Sequence, residues 1–378
     1  MRPLSCIRTV AREMRRGKRG AMRGLRVLAV CAMATIAAIA GAAPLARADK
    51  PTTVTVMTRN LYLGSDLTPI ASAGSVDEVE AMAAQKWEEI VASNFPARAK
   101  AIAREIDRAR PLLIGLQEAM LYRSQEPADG PTTAAKKIEL DFVKILLAAL
   151  RDRGLEYEAV ATSTGYDVEV TGRFADGPRD VRVTNREVVL ARADVGKSAL
   201  QIDHPQSGQF EAHLTVPLAT GDSVSLPWAW ASVDATIANQ KFRFVTTHLD
   251  SLSPADQSAQ GAELLAGPGA TTLPTVFVGD YNSPADGSGT PTYGQIVSAG
   301  LVDAWGVGRG GDPGYSCCQA ENLRNATSAL GRRIDLVLFR GDFGVNDIAG
   351  VGAKPSARLR SGLWPSDHAG VVATLVLR

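Results

Sequence analysis

The sequence WPSDHAGVVATLVL, residues 364–377, lies at the carboxyl end of a chain of 378 residues. Its second half, residues 371–377, is a run of aliphatic and branched side chains that predicts a buried strand. Directly before this run lie Ser366, Asp367 and His368, and His368 is one of only four histidines in the chain. Since functional side chains often lie on loops at strand ends, this stretch predicts a strand that carries a carboxylate and an imidazole to a site.

The same succession of an apolar run and a polar end occurs several times along the chain. The polar residues that follow the other apolar runs are Asn60, Glu118, His248, and Asp280 with Asn282. Asp335 lies inside the apolar stretch RRIDLVLF, residues 332–339, where a carboxylate is costly unless it is paired or hydrogen-bonded. Each residue alone is explained by a turn or a surface position. Together they indicate that the ends of several strands meet at one site.

Residues 1–48 have the composition of a secretory signal peptide. An arginine-rich segment is followed by an apolar stretch of small residues at 27–40 and by Ala46-Arg47-Ala48, which resembles a signal-peptidase site. The apolar stretch is shorter than the roughly 20 residues that a membrane-spanning helix needs. We therefore expect residues 1–48 to be removed on export, and residues 49–378 to form a single secreted domain.

Two features of this leader leave the route of export open. Met14 or Met22 can serve as the first residue, because the segment from Met22 onward is a complete signal sequence by itself. The pair Arg15-Arg16 also fits twin-arginine export. A retained amino-terminal anchor is the alternative to export.

The charge balance changes when the leader is excluded. The leader contains ten of the 41 basic residues and one of the 40 acidic residues, so residues 49–378 have 31 basic and 39 acidic side chains and a formal net charge of −8. An acidic protein is not attracted to DNA or RNA by its overall field. A phosphate-containing substrate therefore has to be bound by local arginines or through a cation.

Cys317 and Cys318 are the only cysteines outside the leader. Two adjacent cysteines cannot build a disulfide framework, so they form a vicinal disulfide or remain thiols. A zinc site, which usually has four ligands, is not expected from this pair. The rest of the chain is long enough to be stabilised by a hydrophobic core instead.

Hydrophobic periodicity places helices and strands in alternation along residues 49–378. Helices are predicted from the capping box at Ser75 to about residue 92, at 96–108 and at 132–151. Strands are predicted at 54–58, 112–116, 188–191, 275–278 and 334–339, with a hairpin of residues 228–233 and 242–246 around Asn239. Residues 162–182 are polar and contain glycine, so we expect a surface excursion there. Strands in both hairpins and βα units predict a mixed α/β sandwich of two sheets with outer helices.

Six motifs occur in an order that resembles the endonuclease/exonuclease/phosphatase superfamily, which includes the DNase I-like enzymes. They are RNLYLG (59–64), IGLQEA (114–119), TTHLDS (246–251), VGDYNSP (278–284), RRIDLVL (332–338) and PSDHAGVVATL (365–375). The resemblance spans residues 53–377. It implies a four-layer α/β sandwich, in which two mixed, mainly antiparallel β-sheets pack face to face and are flanked by helices. It also implies a Mg²⁺-dependent hydrolase that acts on phosphoesters.

The resemblance implies a metal site built from three of the strand-end residues. Glu118 is the principal Mg²⁺ ligand in this interpretation, with Asn60 and Asp367 beside it. Magnesium prefers oxygen ligands and is usually held by one or two carboxylates together with the substrate phosphate. Mn²⁺ or Ca²⁺ would suit the same oxygen ligands.

The resemblance also implies catalytic roles for the remaining strand-end residues. Asp280 would orient or deprotonate the attacking water, and Asn282 would hold that water and a phosphate oxygen. His248 and His368 would donate to the non-bridging oxygens of the phosphate. Asp335 would accept from His368, which fixes the ring and favours its charged form.

The resemblance implies a phosphoester substrate without identifying it. Ser283-Pro284 stands where inositol-phosphate phosphatases of the family carry a basic pair, and an acidic exported chain does not resemble the intracellular abasic-site endonucleases. We expect a secreted nuclease that uses in-line attack of water. The alternatives are a phospholipid-headgroup phosphodiesterase, similar to sphingomyelinases and phospholipases C, and a catalytically inactive binding protein.

Further predictions concern the contacts with the substrate and with partners. Arg324 and Arg333 lie in an insertion before Asp335, and we expect them to contact phosphate, with solvated surface arginines as the alternative. The expected partner is a nucleic acid or a phospholipid headgroup. No obligate protein partner is indicated, and a monomer is expected. Trp228 and Trp230 lie on one face of a predicted strand, where core packing explains them better than a membrane contact.

Overall fold

The computed structural model describes residues 52–378 except 220 and 222. The predicted signal peptide at residues 1–48 lies outside the described residues and stays a prediction. The first of two large sheets has the strand order β15-β16-β1-β2-β6-β3-β4, with β5 paired to β6. Its strands are β1 (Thr52–Asn60), β2 (Leu113–Gln117), β3 (Leu121–Gln125), β4 (Lys137–Asp141), β5 (Tyr157–Phe174), β6 (Gly177–Arg192), β15 (Phe343–Val351) and β16 (Gly370–Leu377).

The second sheet has the strand order β13-β14-β12-β11-β10-β7. Its strands are β7 (Gln201–Gln209), β10 (Ala229–Ile237), β11 (Gln240–His248), β12 (Thr275–Asp280), β13 (Val302–Asp303) and β14 (Asp335–Arg340). A separate antiparallel hairpin consists of β8 (Leu214–Pro217) and β9 (Ser223–Leu226). The predicted hairpin around Asn239 is confirmed, because β10 and β11 pair antiparallel up to Ile237 and Gln240.

Helices cover the outer faces of both sheets. They are α1 (Thr68–Ala71), α2 (Val76–Ala92), α3 (Phe95–Ala109), α4 (Phe142–Arg151), α5 (Pro254–Ala266), α6 (Thr292–Ser298) and α7 (Ala304–Gly308), with 3-10 turns at Gly130–Thr132 and Pro355–Ala357. Ser75 caps α2 as predicted, since its side chain accepts from the Glu78 amide. Within the described residues, no helix combines the length and the apolar character that crossing a membrane requires.

Three apolar layers hold the sheets and helices together. The layer between the sheets includes Val56, Val278 and Val337. The layer between the first sheet and helices α3 and α4 includes Met57, Ile102, Ile114, Phe142 and Leu146. The layer between the second sheet and helices α5 and α6 includes Val245, Leu264, Phe277 and Ile296. The order helix, sheet, sheet, helix confirms the predicted four-layer sandwich.

Each sheet contains one parallel pair of strands in an otherwise antiparallel arrangement. In the first sheet β1 runs parallel to β2, with Asn60 opposite Gln117. In the second sheet β11 runs parallel to β12, with His248 opposite Asp280, and β14 runs antiparallel with Asp335 also opposite Asp280. Strands in a parallel pair end at the same edge of a sheet, so this register places the polar ends of four strands at one edge of the sandwich.

The prediction of one helix over residues 132–151 is wrong in its first half. Residues Lys137–Asp141 form β4, which pairs antiparallel with β3, and α4 begins only at Phe142. The side chain of Asp141 accepts from the Lys144 amide and caps α4. Ile138 and Phe142 fit a helical period, but Ile138 and Leu140 also fit a strand period, and pairing with β3 decides between the two.

The prediction of a surface excursion over residues 162–182 is also wrong. Strands β5 and β6 pair from Tyr157 opposite Arg192 to Phe174 opposite Gly177, and so form one long hairpin. Polar residues in this segment alternate with valines such as Val168 and Val170, which is the period of a strand with one apolar face. The polar composition concealed this alternation.

A fully buried arginine on α3 binds the segment that follows β1 and the segment that precedes β16. Arg98 Nη1 donates to the carbonyl oxygens of Leu61 at 2.6 Å and Pro365 at 3.1 Å, and Nη2 donates to that of Tyr62 at 3.0 Å. Burial lowers the pKa of Arg98 to about 10, so the side chain remains charged near neutral pH. One side chain therefore fixes the chain after β1 to the chain before β16.

The two sheets approach each other closely at Gly115 of β2. A Cβ atom at this position would lie within 2.5 Å of Thr246 Oγ1 and still closer to Val278 Cγ2, and both belong to the opposite sheet. Nearby, Gln117 Nε2 donates to Thr246 Oγ1 at 2.8 Å across the same interface. The sheets can therefore pack at this distance only with glycine at position 115.

Substitution of Gly115 tests this close approach. Gly115→Ala forces the branched side chains of Thr246 and Val278 out of position, and we expect it to lower the free energy of unfolding by about 1–3 kcal/mol. Gly294→Ala is the matched control, because Gly294 is exposed on α6 and an added Cβ meets nothing within 4 Å. We expect that control to leave stability unchanged or raise it by up to about 1 kcal/mol. Urea denaturation measures both, and equal stability of the two variants would contradict the interpretation.

Candidate active site

The predicted catalytic and metal-binding residues meet at the edge where the parallel strand pairs end. Asn60 ends β1, Glu118 follows β2, His248 ends β11 and Asp280 ends β12. Asp335 begins β14, while Asp367 and His368 precede β16. One cleft is lined by five of these residues, namely Glu118, His248, Asp280, Asn282 and His368.

Asn60 connects the carboxylates of the two sheets. Its Nδ2 donates to Glu118 Oε1 at 3.0 Å and to Asp280 Oδ2 at 3.1 Å. Its Oδ1 accepts from the Tyr62 amide at 2.8 Å, which fixes the orientation of the side-chain amide. The second oxygen of Glu118 accepts from the Leu63 amide at 2.5 Å. In this arrangement the amide nitrogen of Asn60, and not its oxygen, faces the carboxylates.

His368 is held between three carboxylates. Its Nδ1 lies 2.7 Å from Asp335 Oδ2, and its Nε2 lies 3.6 Å from Asp280 Oδ2 and 3.9 Å from Asp367 Oδ2. Burial alone would lower the pKa of His368, but the charges of Asp335, Asp367 and Asp280 outweigh burial and raise it well above its usual value. The ring is therefore a cation that Asp335 fixes in place.

His248 differs from His368 because it is neutral. Burial and the charge of His368 hold the pKa of His248 well below its usual value. Asn282 Nδ2 donates to the Leu249 carbonyl at 2.9 Å, and the same amino group lies 3.1 Å from His248 Nε2. The same ring nitrogen lies 3.4 Å from Asp280 Oδ2, so His248 Nε2 faces both an amide and a carboxylate. The donation from His248 to the phosphate stays a prediction.

Glu187 is a neighbour of the site that we did not predict. It lies fully buried on β6, with Oε1 4.0 Å from His248 Nδ1 and 3.1 Å from the donor Asn185 Nδ2. Burial and the charge of Glu118 raise the pKa of Glu187 well above its usual value. A carboxyl group directly before the apolar run VVLA, residues 188–191, was the available signal.

The carboxylates of the cleft are close enough to destabilise one another in the charged form. Burial, together with the charge of Asp367, raises the pKa of Glu118 to about 7. Burial also raises the pKa of Asp280 to about 7, although His368 opposes this. The pKa of Asp367 is raised by burial as well. Several buried oxygen ligands with unfavourable mutual charge suit a divalent cation.

The residues present therefore fit a divalent metal ion. Asp280, Asp335 and His368 form one of two groups, within the described residues, whose ligand atoms all lie within 4.8 Å of one another, and the other is Cys317, Cys318 and His368. The carboxylate-containing group is a second cluster of potential ligands beside the predicted set of Asn60, Glu118 and Asp367. The chemistry of both sets, with two or more carboxylates, suits Mg²⁺ or Mn²⁺.

Backbone conformation at the site is unusual at the two residues that follow the parallel pairs. Glu118 has φ 52° and Asn282 has φ 49°, a left-handed conformation that non-glycine residues rarely adopt. Such strained residues persist where the surrounding structure fixes them, and they concentrate at functional sites. Gly279 precedes Asp280 with φ 154°, and a Cβ there would overlap the Thr247 carbonyl oxygen.

Cys317 and Cys318 form a vicinal disulfide at the rim of the cleft. Cys317 makes isolated antiparallel bridges to both Arg332 and His368. The Ala369 amide donates to the Ser316 carbonyl at 2.7 Å, which joins this segment to the chain beside His368. The pair therefore supports the backbone of the catalytic segment.

The predicted phosphate contacts of Arg324 and Arg333 are not brought to the cleft. Arg333 Nη1 donates to Asp303 Oδ2 at 2.8 Å, and Arg324 Nη1 donates to the Ser361 carbonyl at 3.2 Å. Arg332 lines the cleft instead. Arg332 and Arg333 are adjacent, and adjacent side chains of an extended chain point in opposite directions. The sequence alone did not indicate which of these two arginines faces the site.

A family model described as "Endonuclease/Exonuclease/phosphatase family" matches residues 91–368. Among curated proteins, none matches the sequence.

Several solved structures are similar to this chain over most of its length. An endonuclease/exonuclease/phosphatase family protein from Bacteroides thetaiotaomicron has a TM-score of 0.54 and 16% identity, covering 87% of this chain and 99% of that chain. A mannosyl-6-phosphatase from the same organism has a TM-score of 0.52 and 16% identity, and the match covers 86% of this chain and 100% of that chain. TDP2 from D. rerio, complexed with a single-strand DNA product, has a TM-score of 0.50 and 16% identity. The match covers 86% of this chain and 99% of that chain.

At this level of identity the structural similarities establish the fold alone. The family match covers more than half of the chain and includes the segments that carry Glu118, His248, Asp280, Asp335 and His368. It confirms the resemblance seen in the sequence motifs. The chain belongs to the Endonuclease/Exonuclease/phosphatase family.

Proposed function

We propose that this protein is a divalent-metal-dependent phosphodiesterase that hydrolyses its substrate by in-line attack of water. The observation that carries the proposal is the position of His368 in the cleft. Its Nδ1 is 2.7 Å from Asp335 Oδ2, while its Nε2 is 3.6 Å from Asp280 Oδ2. The ring of His368 therefore lies between the carboxylate that orients it and the carboxylate of Asp280. Family membership supports action on a phosphoester bond.

The metal would be held by the carboxylates of Glu118 and Asp367, with Asn60 beside them. When bound, such an ion supplies Lewis-acid polarisation of a phosphate oxygen and charge neutralisation. Its charge would also compensate the repulsion that raises the pKa of Glu118 to about 7. Mg²⁺ is the ion we propose, and Mn²⁺ or Ca²⁺ would bind the same oxygen ligands.

Asp280 is positioned to act on the attacking water. Its Oδ2 lies 3.1 Å from Asn60 Nδ2, 3.4 Å from His248 Nε2 and 3.6 Å from His368 Nε2. A carboxyl group with a pKa of about 7 accepts a proton from water more readily than an ordinary aspartate does at neutral pH. The oxygen of that water bonds to phosphorus, the bond from phosphorus to the leaving oxygen breaks, and the departing alcohol takes up a proton.

His368 is positioned to act on the phosphate, and Asn282 lies beside His248. A charged imidazole in a cleft of low polarity stabilises the negative charge that develops on the non-bridging oxygens. Asp335 keeps the ring oriented during this process, because its carboxylate is fixed at the start of β14. Asn282 Nδ2 contacts His248 and so orders the neutral ring beside Asp280.

The complete set of carboxylates and imidazoles in one cleft supports an enzyme over a catalytically inactive binding protein. The catalytic centre suits a nuclease and a phospholipid-headgroup phosphodiesterase equally well, because both hydrolyse phosphodiesters. The mannosyl-6-phosphatase and the DNA complex of TDP2 illustrate that this fold serves different phosphoesters. Nuclease activity therefore stays a prediction, and the walls of the cleft bear on the choice between the two substrate classes.

We also propose that the protein is exported and acts as a monomer on extracellular phosphoesters. Residues 1–48 support export by their order of charged, apolar and small residues. The formal charge of −8 on residues 49–378 suits a soluble protein that does not bind polyanions non-specifically.

Removal of either central catalytic side chain tests the mechanism. We expect Asp280→Ala and His368→Ala each to lower turnover of bis(p-nitrophenyl) phosphate by at least about 10²-fold, because each variant loses a proton acceptor or a charged donor at the phosphate. Both variants should melt at nearly the temperature of the unchanged protein. His204→Ala, at an exposed histidine on β7, is the control and should retain full activity. A near-normal rate would remove the substituted residue from the mechanism.

Metal binding should depend on pH in a direction set by the carboxylates. The pKa of Glu118 is raised to about 7, so this group is protonated below that pH, and a proton must leave before a cation binds. Calorimetry should therefore show Mg²⁺ or Mn²⁺ bound at least roughly tenfold more weakly near pH 6 than near pH 8. Glu118→Gln should bind weakly at both pH values, and EDTA should abolish turnover. Equal affinity at both pH values would exclude Glu118 as a ligand.

Export has a direct test in the amino-terminal sequence of the secreted protein. Expressed in a bacterial host, the protein should accumulate outside the cytoplasm with an amino terminus that begins after Ala48. Replacement of Ala46 and Ala48 by arginine should block processing, because signal peptidases require small residues at these positions. Retention of residues 1–48 on the unchanged exported protein would support the anchor alternative.

A further inference from the structure

The cleft that contains the catalytic residues extends far beyond them. Its cavity volume is about 490 Å³, which lies in the range of sites for single small-molecule ligands. Glu118, Asp280 and His368 are part of its lining. The lining also includes aliphatic side chains of the β5–β6 hairpin, the β8–β9 hairpin and helices α1 and α2. We call this extension the aliphatic cleft, and its floor and two walls are described below.

The floor of the aliphatic cleft is formed by the outer half of the β5–β6 hairpin. Val168 lies opposite Val183, and Val170 lies opposite Val181, so two cross-strand pairs form a continuous apolar strip. All four valines line the cavity and are only partly buried. Val183 also packs against the layer between the first sheet and helices α3 and α4, so the strip is covered in part by protein and faces the cavity with the rest.

One wall of the aliphatic cleft is the β8–β9 hairpin. Leu214 lies opposite Leu226, and Val216 lies opposite Val224, and all four side chains line the cavity. The residues between them, such as Thr215 and Ser225, are exposed on the other face. This hairpin pairs with neither large sheet, so its apolar face has no role in the sandwich core.

The opposite wall and the inner end are formed by α1, α2 and a tryptophan beside the catalytic centre. Ile70 and Trp87 line the cavity from the two helices. Trp228 also lines it, and its ring centroid lies 4.3 Å from that of His248. The apolar lining therefore reaches the ring of His248. The predicted packing role of Trp228 fits its burial, but its ring additionally borders the cleft.

The cationic side chains of the cleft are few and mostly paired. Lys86 Nζ donates to Glu89 at 2.9 Å, and Arg182 Nε donates to Asp167 at 2.8 Å. Arg332 is the third cationic residue of the lining, and its Nη2 lies 3.6 Å from Cys318 Sγ. A polynucleotide needs a row of cationic groups along its backbone, and its phosphates would lie against aliphatic side chains here.

We propose that the substrate is a single-chain amphiphilic phosphoester, whose phosphate binds at Asp280 and His368 and whose alkyl chain lies in the aliphatic cleft. This inference rests on the proposed phosphodiesterase function and identifies its substrate class. The two walls and the floor exclude water from the chain, whereas a headgroup enzyme that leaves the chains in a bilayer needs no such cleft. Burial of one methylene group improves affinity by about fourfold, so chain length should control the rate at low substrate concentration.

A homologous series of substrates tests the proposal on the full-length protein. The methyl, butyl and octyl esters of p-nitrophenyl phosphate, kept below their micelle concentrations, differ only in the group that would enter the cleft. With Mg²⁺ or Mn²⁺ present, we expect kcat/KM to rise at least about thirtyfold from the methyl to the octyl ester. Octyl phosphate should also bind more tightly than inorganic phosphate, as measured by calorimetry and by the fluorescence of Trp87 and Trp228.

Two neighbouring positions on β9 provide matched variants. Val224→Gln places an amide in the wall, and we expect the octyl-to-methyl ratio of kcat/KM to fall by about tenfold or more. Ser225→Gln adds the same side chain to the exposed face and should keep the ratio of the unchanged protein. Val216→Gln and Thr215→Gln repeat the comparison on β8, in case one substitution disturbs the hairpin.

The outcomes separate this inference from the proposed function. Turnover of all three esters at similar kcat/KM would overturn the alkyl-chain assignment and leave the phosphodiesterase intact. Faster hydrolysis of a DNA oligonucleotide than of the octyl ester would overturn the assignment in favour of a nuclease. Absence of any metal-dependent turnover would overturn the proposed function. In that case the binding of octyl phosphate, and its loss in Val224→Gln but not in Ser225→Gln, would still decide what the cleft holds.

Discussion

The register of the two parallel strand pairs is the constraint on which the site depends. Asn60 lies opposite Gln117 in one sheet, and His248 lies opposite Asp280 in the other. A shift of either pair by one residue would turn its polar end away from the cleft and its apolar residues away from the layers that they fill. The close approach at Gly115 and the bond from Gln117 to Thr246 hold the two sheets in the position that brings these ends together.

The second constraint is that the carboxylates at the site need nearby cations, and few cationic groups supply them. Asp367 is partly buried near Glu118, and the cations that lower its pKa against the effect of burial are His368 and Arg98. Arg98 thus has two effects, because it binds the backbone of both loops and also favours the charged form of Asp367. Without such cations the pKa of Asp367 would rise further, and a protonated carboxyl group binds metal poorly.

Sequence patterns predicted the four layers and the strand-end residues because both depend on local periodicity. Asn60, Asp280 and His368 each follow or precede a clear apolar run, and the sheets bring such ends together by a general rule of strand pairing. Glu187 escaped prediction because it lies within a strand and its partner His248 is distant in the chain. The helix over residues 132–151 failed because Ile138 satisfies two periods, and only pairing with β3 distinguishes them.

The aliphatic cleft could not be predicted from the sequence for a related reason. Its floor and wall are alternating strands, and alternation shows that one face is apolar without showing what covers it. Core packing is the usual explanation, and it holds for the inner half of the β5–β6 hairpin, where Val188 and Val189 lie in two different apolar layers. Only the three-dimensional arrangement shows that Val168 and Val183 face a cavity.

The independence of the β8–β9 hairpin has a consequence for the evolution of substrate range. This hairpin shares no ladder with either sheet, so insertions, deletions and exchanges of its aliphatic residues leave the alignment of the catalytic strands unaffected. Natural variation can therefore remodel one side of the binding site while the hydrolytic machinery is inherited unchanged. Such modularity offers a physical route by which one ancestral hydrolase diversifies toward new molecules without first losing its chemistry.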